Sequence, residues 1–465
     1  MRVGVSVSLA RAHTSAVMLA AENSEAESGQ VQTCATVVSS EPVDAALDQV
    51  LAALQPPSSA GAVTSVTLAT DWVSHMLRDG SQLAPTAALR LAQPGGSALP
   101  PLLGWSCHLR AAVAQRWTVL PGGHDPLGRL LAELDIAAVV DFARDAAAAG
   151  ARAIAVTAAG SPAITTHEIT AAAAIEQAVP ELQVVLAHEL GGLGLRAREN
   201  TAILNAALGP AAATLVEACE QQLRHRHPKA GLLFVRHDGA VLNAESFRRL
   251  PITIADAHLA AELCGASALS GQENALVLGI GAHESEIGLV DAGWPRHHAQ
   301  GTAMIAPGMA VSLPLPTHDT FPAGAVELGG SGSTTVVEQL CRAVTQLQES
   351  ALARPVLAVG DFRGAPQLPA LLDAQVPECA EAAAAVGAAR AQPVAEISRV
   401  VVTDLSELPA EQERARTQAL ALVVRAGADP ASAHIVAERV GPVGYLPSTV
   451  NRLWVRAEGV VEVQQ

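Results

Sequence analysis

The chain has 465 residues, half of them hydrophobic and only 2% aromatic, with a formal net charge of −16. That much apolar material excludes a disordered chain. The acidic balance excludes binding to a nucleic-acid backbone, because no surplus of Lys and Arg exists to replace its counterions.

The length predicts two domains or one large bilobal unit, and a core built from Ala, Val and Leu predicts closely packed helices. Residues 2–8 alternate Val-Gly-Val-Ser-Val-Ser and read as a strand, followed by a second at 15–20. Arg11 and His13 interrupt the apolar start, so it is read as sheet and not as a signal peptide. No stretch reads as long and apolar enough to span a membrane. Helical spacing over 42–54 is broken by PPSSAG, and strands follow at 65–70 and 87–93. A helix ending near Gly150 leads to a strand at 153–158, and the pattern repeats as helix 165–178 and strand 183–187. A long helix runs from about 197 to 226. LLFVRHDGAVLN reads as a hairpin turning at Asp238-Gly239. Residues 275–293 form a second strand-loop-strand unit that echoes the N-terminal one. Helix 334–350, strand 355–359, helices near 380–391 and 410–426 and a closing strand at 452–457 complete the chain. Alternating helices and strands imply an α/β fold, and two like hairpins imply two similar lobes around a cleft.

Cys34, Cys107, Cys219, Cys264, Cys341 and Cys379 form no CxxC pair. They read as free, mostly buried thiols of a reducing compartment, and a cytoplasmic location is expected. Cys264 reads as core. His225, His227, His297 and His298 lack a fixed third ligand and read as surface, so no metal centre is assigned. ELGGSGSTT at 327–335 is either a phosphate cradle or a surface turn that Ser333 or Thr334 caps.

One segment is specific. VLAHELGGLGLRARENTAILNAAL at 185–208 resembles the hydantoinase A/5-oxoprolinase family, which carries His-Glu-Ile-Gly, then Arg-Glu-Asn and Ile-Leu-Asn-Ala; the equivalents here are His188 to Gly191, Arg198 to Asn200 and Ile203 to Ala206. LPGGHDPLGRLLAELD (120–135), HDGAVLNAESFRRLPI (237–252), ENALVLGIGAHESEIGLVDAGWP (273–295) and GPVGYLPSTVNRLWVRAEG (441–459) are also similar to family segments. The resemblance implies a bilobal actin/sugar-kinase/Hsp70-like (ribonuclease H-like) fold, with an N-terminal-type domain at 1–175 and a hydantoinase A-like domain at 176–465. It implies ATP and Mg²⁺ as cofactors and a small cyclic amide such as hydantoin, a lactam or 5-oxoproline as substrate. A B-type subunit or a homo-oligomer is the implied partner; neither nucleic acid nor membrane is expected.

In that fold two Gly-rich hairpins present backbone N–H groups to the nucleotide phosphates, and an Asp positions the metal. Here Ser6 stands where the family has Asp, and Ser8 and Leu9 replace its two glycines. At the second hairpin Gly279 replaces Asp, Gly281 is retained, and His283 to Glu286 replace Thr-Thr-Thr-Asp. Leu68 to His75 and the stretch Val359-Gly360-Asp361-Phe362-Arg363 also depart from the family pattern. The degenerate nucleotide-site positions are therefore Ser6, Ser8, Gly279, Gly281, Ser285 and Gly360, and impaired ATP use is expected. Candidate catalytic residues are His188, Glu189, Arg198, Glu199 and Asn200. His188 and Glu189 are singled out because they follow a strand end, where open α/β sheets place their sites. The structural alternative is an interface or helix-capping pair for His188 and Glu189, and ion pairing for Arg198, Glu199 and Asn200. Asp238-Gly239 reads as a turn. The expected function is a cyclic-amide hydrolase subunit with impaired activity; the alternative is a non-catalytic structural or regulatory paralogue.

Overall fold

The computed structural model describes residues 1–19, 30–55, 62–93, 95–113, 116–281, 284–299, 301–322, 340, 342–347, 354–363, 366–444, 446–447 and 449–462. The N-terminal alternation folds as β1 (Arg2–Ser8) and β2 (His13–Leu19), paired antiparallel in register from Arg2↔Leu19 to Ser8↔His13. β3 (Val31–Val38), absent from the sequence reading, pairs with β2. After α1 (Val43–Ala53), β4 (Ser65–Thr70) returns parallel to β1.

The second hairpin repeats this plan. β11 (Ala275–Ile280) and β12 (Glu284–Asp291) pair antiparallel, strand His318–Pro322 pairs with β12, and strand Val356–Gly360 lies parallel to β11. Each lobe thus orders its strands third-second-first-fourth, which establishes the two similar lobes expected from the sequence. The mixed α/β sheets fit the expected actin-like fold.

Between the hairpins the chain builds a separate parallel sheet from β5 (Thr86–Gln93), β6 (Trp117–Pro121), β7 (Ala153–Ala158) and β8 (Gln183–Leu186), in the order β6-β5-β7-β8. α4 (Ile136–Ala148) and α5 (Thr166–Ala178) serve this sheet, and the Asp135 side chain caps α4 by accepting from Ala138 N. Residue 175, the expected domain boundary, lies inside α5. α6 (Leu195–Arg226) then crosses the molecule, and β9 (Gly231–Val235) and β10 (Val241–Asn243) form the Asp-Gly hairpin as expected. A final three-stranded sheet joins Val394–Val402, His434–Pro442 and Val450–Glu458, with the last in the middle; the first two were not foreseen.

Two readings change. α6 is long and apolar enough to cross a bilayer, although none was expected; 61% of its most apolar window is buried inside the protein. The thiols are not mostly buried: Cys219 is buried, whereas Cys34 and Cys107 are exposed. Of helix 334–350, Leu340 and residues 342–347 are described and helical, and 327–335 lies outside the described residues.

The lobes meet across two Ala-rich helices, α8 (Ala257–Ser270) and helix Ala383–Arg390. A Cβ on Gly265 would lie 1.8 Å from Ala383 O, and one on Gly387 1.9 Å from Ala261 O. β1 is equally close, since a Cβ on Gly4 would lie 2.0 Å from Ala385 O. This backbone contact is what the Ala-rich composition provides: small side chains let helices touch at crystal-like density. Gly387→Ala inserts a methyl group with nowhere to go. It is expected to cost about 1–3 kcal/mol and to lower the melting temperature; an unchanged melting temperature would contradict the contact.

Candidate functional site

The β1–β2 loop is folded by one carboxylate. Asp71, just beyond β4, accepts from Ser8 Oγ at 2.9 Å, Leu9 N at 2.8 Å and Ala10 N at 3.0 Å. Ser8 Oγ in turn accepts from Arg11 N at 3.2 Å. The loop's own N–H donors therefore face Asp71, and its tip delivers Arg11 toward the other lobe.

The Arg11 guanidinium reaches Glu262 Oε1 at 2.7 Å and Oε2 at 3.1 Å, and Glu286 Oε2 at 2.7 Å. The Arg11 and Glu262 side chains are each 4% exposed, so this is a desolvated ion cluster joining the first hairpin, α8 and β12. Such a cluster persists only when each charge is paired. Burial alone pushes the Glu262 carboxyl up, but Arg11 and His258 hold it below the usual carboxylate range. Burial dominates at Glu286, whose pKa is raised; Arg11 offsets this in part, and Glu262 and Glu284 add to it. Burial lowers His258 to about 4, with Arg11 acting in the same direction, so the imidazole is neutral.

Of the positions expected to hold nucleotide, Ser6, Ser8, Gly279, Gly281 and Gly360 lie at or beside this cluster, and its space is taken. A Cβ on Gly279 would lie 2.1 Å from Glu262 Oε2, and one on Gly281 2.3 Å from Arg11 Cδ. Gly360 closes the neighbouring strand with φ +97° against Ile280 O. Ser6 is buried with its Oγ unpartnered among the described residues and edges a cavity of only about 10 Å³. That is room for about one water. Larger hollows flank this plug. One of about 400 Å³ is edged by His13, Gly360, Asp361 and Arg363; another of about 330 Å³ is edged by Asp71, Asp256, His258, Glu286 and His318. Strand alternation places Ser285 on the opposite face of β12 from Glu284 and Glu286, away from the cluster.

His258, Glu262 and Glu286 offer ligand atoms within 4.8 Å of one another, the geometry of a cation site. The cation there is the guanidinium of Arg11. Mg²⁺ with a triphosphate does not fit the residues present, because Arg11 already neutralises the carboxylates and fills the approach to both hairpins. Sequence reasoning missed this group: Glu262 and Glu286 lie 251 and 275 positions from Arg11.

The five catalytic candidates lie elsewhere, around the ends of β7, β8 and the start of α6. His188 Nδ1 is 2.7 Å from Glu168 Oε2, and His188 N donates to the same oxygen at 2.9 Å. Glu168, wholly buried and unmarked by the sequence reading, also accepts from Ala158 N. Glu189 is exposed and 3.9 Å from Arg249. Glu199 is buried in a two-pronged pair with Arg90 of β5, and Asn200 bridges Trp105 Nε1 and Ala310 O. Arg198 donates to the carbonyls of Ala158, Gly192 and Leu193; burial lowers it to about 10. Arg198, Glu199 and Asn200 thus tie α6 to its surroundings, while the His188 side chain stays partly exposed beside a buried carboxylate.

With this geometry in view, the comparisons are consistent. The hydantoinase/oxoprolinase family matches residues 198–368, and its N-terminal region matches residues 12–179. The chain belongs to the hydantoinase/oxoprolinase family. Its structure is similar to nucleotide-free acetone carboxylase, from work on ATP-dependent acetone carboxylation (TM-score 0.67, 12% identity, covering 100% of this chain and 88% of that one). It is also similar to the ATP-dependent caprolactamase from Pseudomonas jessenii (TM-score 0.68, 12% identity, 99% and 88% covered). At this identity the likeness establishes the fold. A search of curated proteins found no match.

Arg11→Ala leaves Glu262 and Glu286 buried without their cation and is expected to destabilise the protein by about 3–5 kcal/mol at neutral pH. In the variant both carboxyls have folded pKa values raised above the unfolded value of about 4.3. A raised carboxyl contributes stability below the unfolded pKa and loses it as pH rises through the folded one. The deficit relative to the native chain should therefore shrink in mild acid and grow toward neutrality. Thermal unfolding across that range checks it; a pH-independent deficit contradicts it.

Proposed function

We propose that this chain descends from ATP-dependent hydrolases of cyclic amides but no longer grips Mg·ATP between its lobes, and that it serves as a non-catalytic structural or regulatory paralogue in the cytoplasm, beside a B-type subunit or a second copy of itself. The observation that carries this reading is the Arg11 plug. Phosphoryl transfer needs donors and a metal preorganised around the phosphates. Here the first loop's donors are spent on Asp71, the carboxylates on Arg11, and the void between the hairpins holds about one water.

The His188–Glu168 pair favours a second reading, in which some hydrolytic activity persists. A carboxylate on Nδ1 fixes the tautomer and leaves Nε2 as a base. A lactam and hydantoin panel with the purified chain, alone and with a B-type partner, separates the two: turnover that is lost in His188→Gln supports activity.

Calorimetry with Mg·ATP tests the main reading. The native chain is expected to give no saturable, Mg²⁺-dependent heat. Restoring Ser6→Asp and Gly279→Asp alone should also fail, because the new Cβ at 279 meets Glu262. Adding Arg11→Ala and Glu262→Ala should admit nucleotide. Tight Mg·ATP binding by the native chain would sink the proposal.

A further inference from the structure

The geometry points to a modification site: a reversible disulfide between Cys34 and Cys379, formed by exchange with a low-molecular-weight disulfide, which clips the edge strand of the first lobe to the second lobe.

The sheet places the first thiol. Cys34 lies on β3, the edge strand of the N-terminal sheet, directly opposite Val17 of β2. Opposed residues of paired strands share a face, and Val17 packs in a buried cluster with Ala382, Ala385 and Val386. The Cys34 side chain therefore stands on the face that carries the helical turn Ala380–Ala382, against which β3 packs. Cys379 immediately precedes that turn at φ +59°. Few non-glycine residues adopt this conformation, so its surroundings hold it there. The two thiols share a hydrogen bond, and both are free in this structure.

The anchors of the two residues give the bond its consequence. Shortly before Cys379, Gln375 N donates to Val356 O at 2.8 Å and Gln375 O accepts from Ala358 N at 2.9 Å, so this segment rides on strand Val356–Gly360 of the second lobe. The bond thus joins the lobes beside the hollow of about 400 Å³, which Thr36 and Val38, on the same face of β3 as Cys34, edge together with Gly360 and Glu381. Cys34 is exposed and meets the oxidant first, whereas Cys379 is half-buried. Burial pushes the Cys379 thiol up to about 11, and Cys34, Glu381 and Glu378 act in the same direction, so Cys379 is the slower, resolving thiol. The Cys34 thiolate attacks one sulfur of the oxidant and displaces one thiol. Cys379, giving up its proton to solvent, then attacks Cys34 Sγ and displaces the second. Two protein thiols are oxidised to one disulfide, and the oxidant is reduced to two thiols. In a reducing compartment the pair stays open and closes only as the thiol pool is oxidised.

The test uses the full chain, reduced and then equilibrated with mixtures of oxidised and reduced glutathione, followed by intact mass and non-reducing peptide mapping. The native chain is expected to lose two of its six thiols, with a mass lower by two hydrogens and a single linked peptide pair carrying Cys34 and Cys379. Dithiothreitol should restore both thiols. Cys379→Ser should stop at a glutathione adduct on Cys34, and Cys34→Ser should give no link. The oxidised native chain should melt at a higher temperature than the reduced one, and this gain should vanish in Cys34→Ser. Because the mapping is done on the native chain, a variant that fails to fold leaves the outcome readable. An adduct that persists on Cys34 of the native chain, a link through another cysteine such as the exposed Cys107, or an unchanged melting temperature on oxidation overturns the proposal.

Discussion

A guanidinium withdrawn from water must find carboxylates, and carboxylates withdrawn from water must find a cation. Arg11, Glu262 and Glu286 satisfy this requirement in one another, and they do so at the place where the two hairpins of the fold face each other. The groups come from β1–β2, from α8 and from β12, so the cluster joins three elements that share no local sequence. It fixes the spacing of the lobes and the polarity of the cleft.

The cluster works because the scaffold beneath it is unusually close. Gly265 and Gly387 bring α8 and helix Ala383–Arg390 into backbone contact, and Gly4 seats β1 on the same helix. Glu262 lies one turn from Gly265 on α8, so the helix position that brings the lobes together also sets the reach of the carboxylate. Packing and electrostatics are coupled here: separating the helices by a methyl group would lengthen every ion contact above them.

Local patterns carried much of the fold. Val-Gly-Val-Ser-Val-Ser and the run at 275–293 announced their hairpins through alternation, and Asp238-Gly239 announced its turn. β3 alternates half-buried and exposed positions, but its polar Gln32, Thr33 and Thr36 weakened the apolar signal. Strand His434–Pro442 was hidden by charges on a half-exposed sheet. The positions expected to hold nucleotide were legible as departures from the family pattern, and Ser6, Gly279, Gly281 and Gly360 lie around the Arg11 cluster. What filled that point was not legible. Arg11 looked like a loop residue, and its partners lie in another lobe. Glu168 looked like an ordinary first-turn acid of α5, a place where the helix dipole alone accounts for it; its role as the buried anchor of His188 exists only after β8 is laid beside β7.

The geometry also ties the backbone of the second hairpin to the cluster. The Cβ that any other residue at 279 would carry would lie 2.1 Å from Glu262 Oε2, and one at 281 would lie 2.3 Å from Arg11 Cδ. The two glycines are therefore required by the ion cluster, and the cluster is required by the charge that Glu262 and Glu286 bring into the interior. Each change makes sense only with the others in place. The close approaches at 279 and 281 and the ion pairs of Arg11 are thus one arrangement: the backbone leaves room only for the side chains that join the first hairpin to α8 and β12, and those charges stay in the interior only because each is paired.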